Sequence, residues 1–134
     1  MSKLVINDTP HFALYFHPEF KIVHLEVHKP FSGEPYRQAL TEGLDLLKRN
    51  KAIKWLSDGR KAGVLSKEDA EWGLKIWAPQ IIKAGWKYWA LALPELVMGE
   101  LNMKFFVDQY AHKGITVRLF SDPDEGLKWL EEVK

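Results

Sequence analysis

Between Phe12 and His28 apolar side chains recur at every second position. Phe12, Leu14 and Phe16 alternate with Ala13 and Tyr15; after His17-Pro18-Glu19, Val23, Leu25 and Val27 alternate with Ile22, His24, Glu26 and His28. A period of two marks extended chain with one buried face, and two such runs around a short turn make an antiparallel hairpin. From Ser32 the period becomes helical. Tyr36, Ala39, Leu40, Gly43, Leu44 and Leu47 share one side, Ser32 is the candidate N-cap, Pro35 fits the first turn, and Lys48 and Arg49 suit the C-terminal end.

Ala52 to Leu56 reads as a third strand, followed by a polar loop, Ser57-Asp58-Gly59-Arg60-Lys61. Ser66 then caps a second helix with Glu68 and Asp69 in its first turn and Ala70, Gly73, Leu74, Trp77 and Ile81 along its apolar stripe. Pro79 falls inside that pattern. Lacking an N–H and clashing with the carbonyl four residues back, it predicts a kink near Lys75 or a break into two short helices. Tyr88 to Leu93 is apolar on both faces, as an inner strand should be. Pro94 opens a helix carrying Met98, Leu101, Phe105, Phe106 and Tyr110, and Gly114 suits its C-terminal end. Ile115, Val117 and Leu119 form a last strand, and Ser121-Asp122-Pro123-Asp124-Glu125 starts a final helix.

The resulting order, ββαβαβαβα, predicts one α/β domain over residues 1–134, with residues 1–10 as an N-terminal extension and a mostly parallel five-stranded sheet. If consecutive strands are neighbours, right-handed crossovers gather the helices mainly on one face. The opposite phase, with His24, Glu26, His28, Lys54, Thr116 and Arg118, should then form a more polar face.

Composition supports a folded chain, with 46% hydrophobic and 28% charged residues in 134. A net charge of +1 and basic residues scattered among acids argue against nucleic acid as a partner. The absence of cysteine excludes disulfides and thiolate chemistry and suits a cytoplasmic address. Neither a signal-peptide core nor a run of about 20 apolar residues occurs, so no integral membrane segment is expected.

The loop Trp55-Leu56-Ser57-Asp58-Gly59-Arg60-Lys61, the closing Arg118-Leu119-Phe120-Ser121-Asp122 and Trp129-Leu130, set on this strand order, resemble the SpoIIAA-like group. These small bacterial proteins share the STAS fold of anti-sigma-factor antagonists and the superhelix of CRAL/TRIO lipid-binding domains. The resemblance runs from about Phe12 to Val133 and implies the SpoIIAA-like fold. In regulatory members a serine at the start of the helix after the third strand is phosphorylated, and Ser66 is the positional match. Lys67-Glu68-Asp69 stands where that signature has small residues. Asp69 with Trp72, and Trp77 with Pro79, look like a branch to which the resemblance attaches no activity.

Two places on the chain carry candidate chemistry. Asp58, Arg60 and Lys61 follow a strand end, where open α/β sheets bind ligands. An arginine there can clamp an anion, with Ser66 and nearby N–H groups completing a pocket. An Asp58–Arg60 pair that only fixes the loop is the alternative. Asp69 and the large Trp72 extend this candidate binding surface. The second place is His24-x-Glu26-x-His28, which supplies metal-ligand types on one strand face; strand geometry spreads them rather than converging them on one ion. Signatures for nucleotide, serine-hydrolase and zincin chemistry are missing, and no cofactor is expected.

These features predict a non-catalytic binding or regulatory module acting through a protein partner, a homodimer contact or a small ligand near Asp58, Arg60 and Ser66. The competing class is a lipid or small-molecule carrier, or an enzyme with Asp58 as acid or base and Arg60 as anion clamp.

Overall fold

The alternating and helical periods are realised in a computed structural model that describes residues 3–63, 65–98 and 101–133; the outermost residues of the 1–134 domain, and the side chains of the stripe positions Met98 and Leu101, lie outside that description. Strands β1 (Leu4–Asp8), β2 (Phe12–His17) and β3 (Ile22–Val27) precede helix α1 (Glu34–Asn50) and strand β4 (Lys54–Asp58). Helix α2 (Lys67–Trp72) runs through a π-helical turn (Gly73–Trp77) into α3 (Ala78–Lys83), and β5 (Tyr88–Ala92), α4 (Glu95–Met98), α5 (Leu101–His112), β6 (Thr116–Phe120) and α6 (Pro123–Glu132) follow.

The strands form one sheet in the order β1-β2-β3-β4-β5-β6. The first three pair antiparallel, and β3 to β6 pair parallel. Six strands correct the expectation of five. The segment read as an extension contributes β1, whose Leu4-Val5-Ile6 run pairs with β2 across a register shift between Val5 and Asn7. Being at the edge, it leaves those three side chains exposed, which is why the run lacks an alternating signature.

The proline step takes a definite form. Pro79 occupies the first turn of α3, where its missing N–H needs no partner. The turn before it widens so that the Ala78 N–H bonds the carbonyl of Gly73, and the helix path continues through the π segment instead of breaking. Among the described residues no helix is long and apolar enough to cross a membrane.

Strand alternation sorts the interior into two layers. Phe12, Leu14, Phe16, Val23, Leu25, Val27, Trp55, Trp89 and Leu91 face one way, into a core completed by α1, the π segment, α3 and α5. Ile22, Leu56 and Ala90 face the other way and meet Leu130 of α6. The crossover helices therefore share one face as expected, while α6 covers part of the face expected to be polar. Handedness constrains helices that join two parallel strands, and α6 joins none. Gly126 permits its close approach: a Cβ there would lie 3.2–3.3 Å from Leu56, Phe120 and Ala90.

Candidate functional site

The polar loop expected from Ser57 starts two residues later, because β4 continues through Ser57 and Asp58. What makes this possible is the partnering of the polar atoms. Ser57 Oγ accepts from the indole N–H groups of both Trp55 (2.8 Å) and Trp89 (3.1 Å) inside the aromatic core. Asp58, one residue on, points to the α6 face. Its carboxylate is nearly buried and receives Arg60 Nε and Nη2, each at 2.9 Å, with the Arg60 backbone N–H at 3.3 Å.

Burial opposes ionisation of Asp58, yet the Arg60 hydrogen bonds and charge outweigh it and hold the carboxyl below its ordinary value. The fork also fixes Arg60, whose side chain remains about half exposed. The loop-fixing pair is thus present, and it forms one wall of a cleft. The cleft has a volume of about 210 Å³ and lies between the ends of β3 and β4 and the start of α6. His24 and Glu26 line it from β3, Leu56 and Asp58 from β4, Asp122, Asp124 and Leu127 from around α6, and Lys3 and Arg60 from flanking segments.

His24 is the unexpected member. It is 7% exposed. Its Nδ1 lies 3.0 Å from His17 Nε2, the rings stack at 5.2 Å, and its Nε2 is buried without a hydrogen-bond partner. Burial, then the neighbouring His17 and Lys3, lower its pKa to about 3 against a smaller opposing effect of Asp58, so the imidazole is neutral at physiological pH. The candidate trio His24, Glu26 and His28 does not converge: His28 lies 3.5 Å from Glu26 and 3.3 Å from Asp8, while His24 turns to His17. Among the described residues no group of three acidic or histidine side chains is placed to hold a metal ion.

Ser66, Asp69 and Trp72 stand in the other layer, apart from the cleft. Ser66 Oγ accepts the Asp69 N–H at 3.1 Å, capping α2 as expected. Asp69, 2% exposed, receives the Gly33 N–H at 3.0 Å and faces Arg37 at 3.8 Å. It thereby satisfies the start of α1 from a distance, and the predicted Ser32 cap gives way to Gly33, which has φ 63° and no side-chain cap. Trp72 packs edge-on to Tyr36 at 6.3 Å beneath Arg37. Lys61 is exposed. The six candidate residues thus divide: Asp58 and Arg60 meet in the cleft, Ser66, Asp69 and Trp72 join α2 to the start of α1, and Lys61 belongs to neither group.

The sequence did not reveal His17 as the neighbour of His24, nor Lys3, Asp122 and Asp124 as members of the cleft with Asp58. The pairing of Tyr15 with His24 sets His17 diagonally across from His24, and only the hairpin register reveals it.

No protein-family model matches the chain, and no curated protein does. Among solved structures it is similar to an uncharacterised protein of the DUF3478 family, with a SpoIIAA-like fold, from Shewanella loihica PV-4. The match covers 96% of this chain and 92% of that one at a TM-score of 0.55 and 18% identity. This establishes the SpoIIAA-like fold.

Proposed function

We propose that the protein is a non-catalytic, cytoplasmic binding or regulatory module that takes a small polar ligand in the cleft beside Asp58 and Arg60. The observation that carries this reading is His24, a residue of the charged cleft's wall whose buried Nε2 has no hydrogen-bond partner. Leaving such an atom unpaired is costly, and a ligand that bonds it recovers that cost. A cleft of about 210 Å³ is smaller than a drug-sized pocket, so the ligand is a small molecule or the end group of a larger one. Asp58 already receives Arg60 through both oxygens, so it serves as a fixed acceptor wall.

A thermal-shift and NMR screen of small metabolites tests the reading. The expected result is a saturable stabiliser whose effect is lost in His24→Phe, which removes the unpaired nitrogen, and kept in Lys113→Ala, an exposed position away from the cleft. Failure of every compound to shift either signal would overturn it.

A second reading, self-association, draws on β1. This edge strand exposes Leu4, Val5 and Ile6 at 51%, 63% and 40%, and unpaired strand edges add further strands. A second copy pairing antiparallel sets the Lys3 end of one strand against the Asp8 end of the other. Light scattering is expected to give a dimer that Val5→Lys dissociates; a monomer at high concentration would eliminate it.

A further inference from the structure

The groups around the cleft differ in how much hydrogen-bonding capacity they have left. Four carboxylates line it, those of Glu26, Asp58, Asp122 and Asp124, against two cations, Lys3 and Arg60. Both cations are engaged: Arg60 forks onto Asp58 at 2.9 Å, and the Lys3 ammonium sits 4.0 Å over the Tyr15 ring. A helix start nearby would ordinarily favour an anion, but that of α6 has no free donor to give. Residue 123 is a proline without an N–H, the Asp124 N–H bonds Asp122 Oδ1 at 2.9 Å, and the Glu125 and Gly126 N–H groups bond the Asp122 carbonyl.

What remains uncommitted is accepting capacity. Asp122 and Asp124 are exposed, and Glu26 is half-buried. The independent pointer is His24, a residue of the same wall that is more than nine-tenths buried and whose Nε2 has no hydrogen-bond partner. The contact with His17, 3.0 Å away, fits either tautomer; in the one where His24 Nδ1 donates to His17, Nε2 carries the lone pair and accepts, and a donating ligand selects that form.

We propose that the cleft selects a small organic cation, an ammonium or amidinium group that donates to His24 Nε2 and is balanced by the carboxylates of Glu26 and Asp124. This rests on the reading of the cleft as a binding site and adds the chemical class. Neutral His24 supplies direction to the bond, and the carboxylates supply the charge, screened least where the cleft is deepest. A compact head with several N–H donors fits better than an alkyl-blocked one, because each remaining acceptor needs its own donor.

The test is a matched series of four-carbon probes, butane-1,4-diamine, butane-1,4-diol and succinate, titrated into the whole chain with amide and imidazole NMR detection. The diamine is expected to bind at least tenfold more tightly than the other two and to move the His24 Nε2 resonance. Glu26→Gln and Asp124→Asn should each weaken it several-fold, and Asp124 is exposed enough for its variant to fold. Succinate binding more tightly than the diamine at the same resonances would overturn the cation class while leaving the binding reading intact. Binding of the diamine with no response at His24, or undiminished in both variants, would overturn the proposal as well. If none of the three probes binds but an uncharged compound from the wider screen does, the class falls alone; if no compound of any kind binds, both readings fall.

Discussion

On the face under α1, α3 and α5, four tryptophans and Tyr110 pack at centroid distances of 5.1–6.4 Å, mostly edge to face. Each indole N–H there finds an acceptor: Ser57 Oγ for Trp55 and Trp89, the Leu40 carbonyl for Trp77 and the Tyr88 carbonyl for Trp86. Under α6 the apolar set is small, and the polar groups beside it are incompletely matched, with His24 Nε2 unpaired and carboxylates outnumbering cations in the cleft. The first face spends its polar atoms on packing the core; at its rim, between α1 and α2, Arg37 Nε makes no hydrogen bond but lies 3.8 Å from the Asp69 carboxylate. The second retains some that only a ligand or water can satisfy, and this is where binding is sought.

Breaking the satisfied face should have the largest effect. Ser57→Ala orphans two buried indole N–H groups at once, at about 1–3 kcal/mol each. Urea denaturation is expected to show a loss of about 4 kcal/mol; a loss below about 1 kcal/mol would mean that those indoles find other acceptors.

The incompletely matched face should respond to acid. The His24 imidazole titrates at about 3 when folded, against 6.5 as an ordinary histidine. The unfolded chain therefore binds the proton first, and stability falls as pH drops from about 6.5 toward 3, by about 1.4 kcal/mol per pH unit from this group. His17, lowered first by its own burial and then by Lys3, adds to the same limb. Asp58 acts lower: its contribution is present above its ordinary value and lost as pH falls below 3.8 through its depressed folded value. Between pH 6.5 and 4 the loss, roughly 3 kcal/mol for His24, should flatten in His24→Phe. An unchanged slope in that variant would place the titration elsewhere.

Two glycines compare the closeness of packing on the two faces. A Cβ at Gly43 of α1 would fall inside the Trp55 indole, whereas one at Gly126 of α6 meets Leu56, Phe120 and Ala90 at 3.2–3.3 Å. Gly43→Ala should cost about 2–3 kcal/mol. Gly126→Ala should cost less than about 1 kcal/mol, because relief of the glycine helix penalty offsets most of the crowding. Equal midpoints in thermal melts would remove this difference between the faces.

Much of the first face was legible in the sequence because it obeys local and topological rules. Alternation located β2, β3 and β6, the helical stripes placed the crossovers, and Pro79 announced a changed helix near Lys75, where the π segment lies. The second face was harder to read because its determinants are long-range. α6 closes no crossover, so its side depends on apolar Ile22, Leu56 and Ala90 and on the small Gly126. Asp58 looked like a loop residue because Ser57 is polar, yet Ser57 is buried by indole donors from two strands. The His17–His24 contact needed a register, and Asp69 reaches across 36 positions to Gly33, beyond any capping rule written for neighbours.

Ser66 gives the smallest effect and sharpens the contrast from outside both faces. Its Oγ satisfies one N–H at the start of α2, and Ser66→Ala should cost about 1 kcal/mol. That helix start also carries Asp69, whose bond to Gly33 joins α2 to α1, so the loss should appear as faster amide exchange at both helix starts. Ligand binding in the cleft should be unchanged, because Ser66 and the cleft lie in different layers. If Ser66→Ala instead weakens binding there, the two layers are energetically coupled, and the serine matched to the regulatory site would act on the cleft through the sheet.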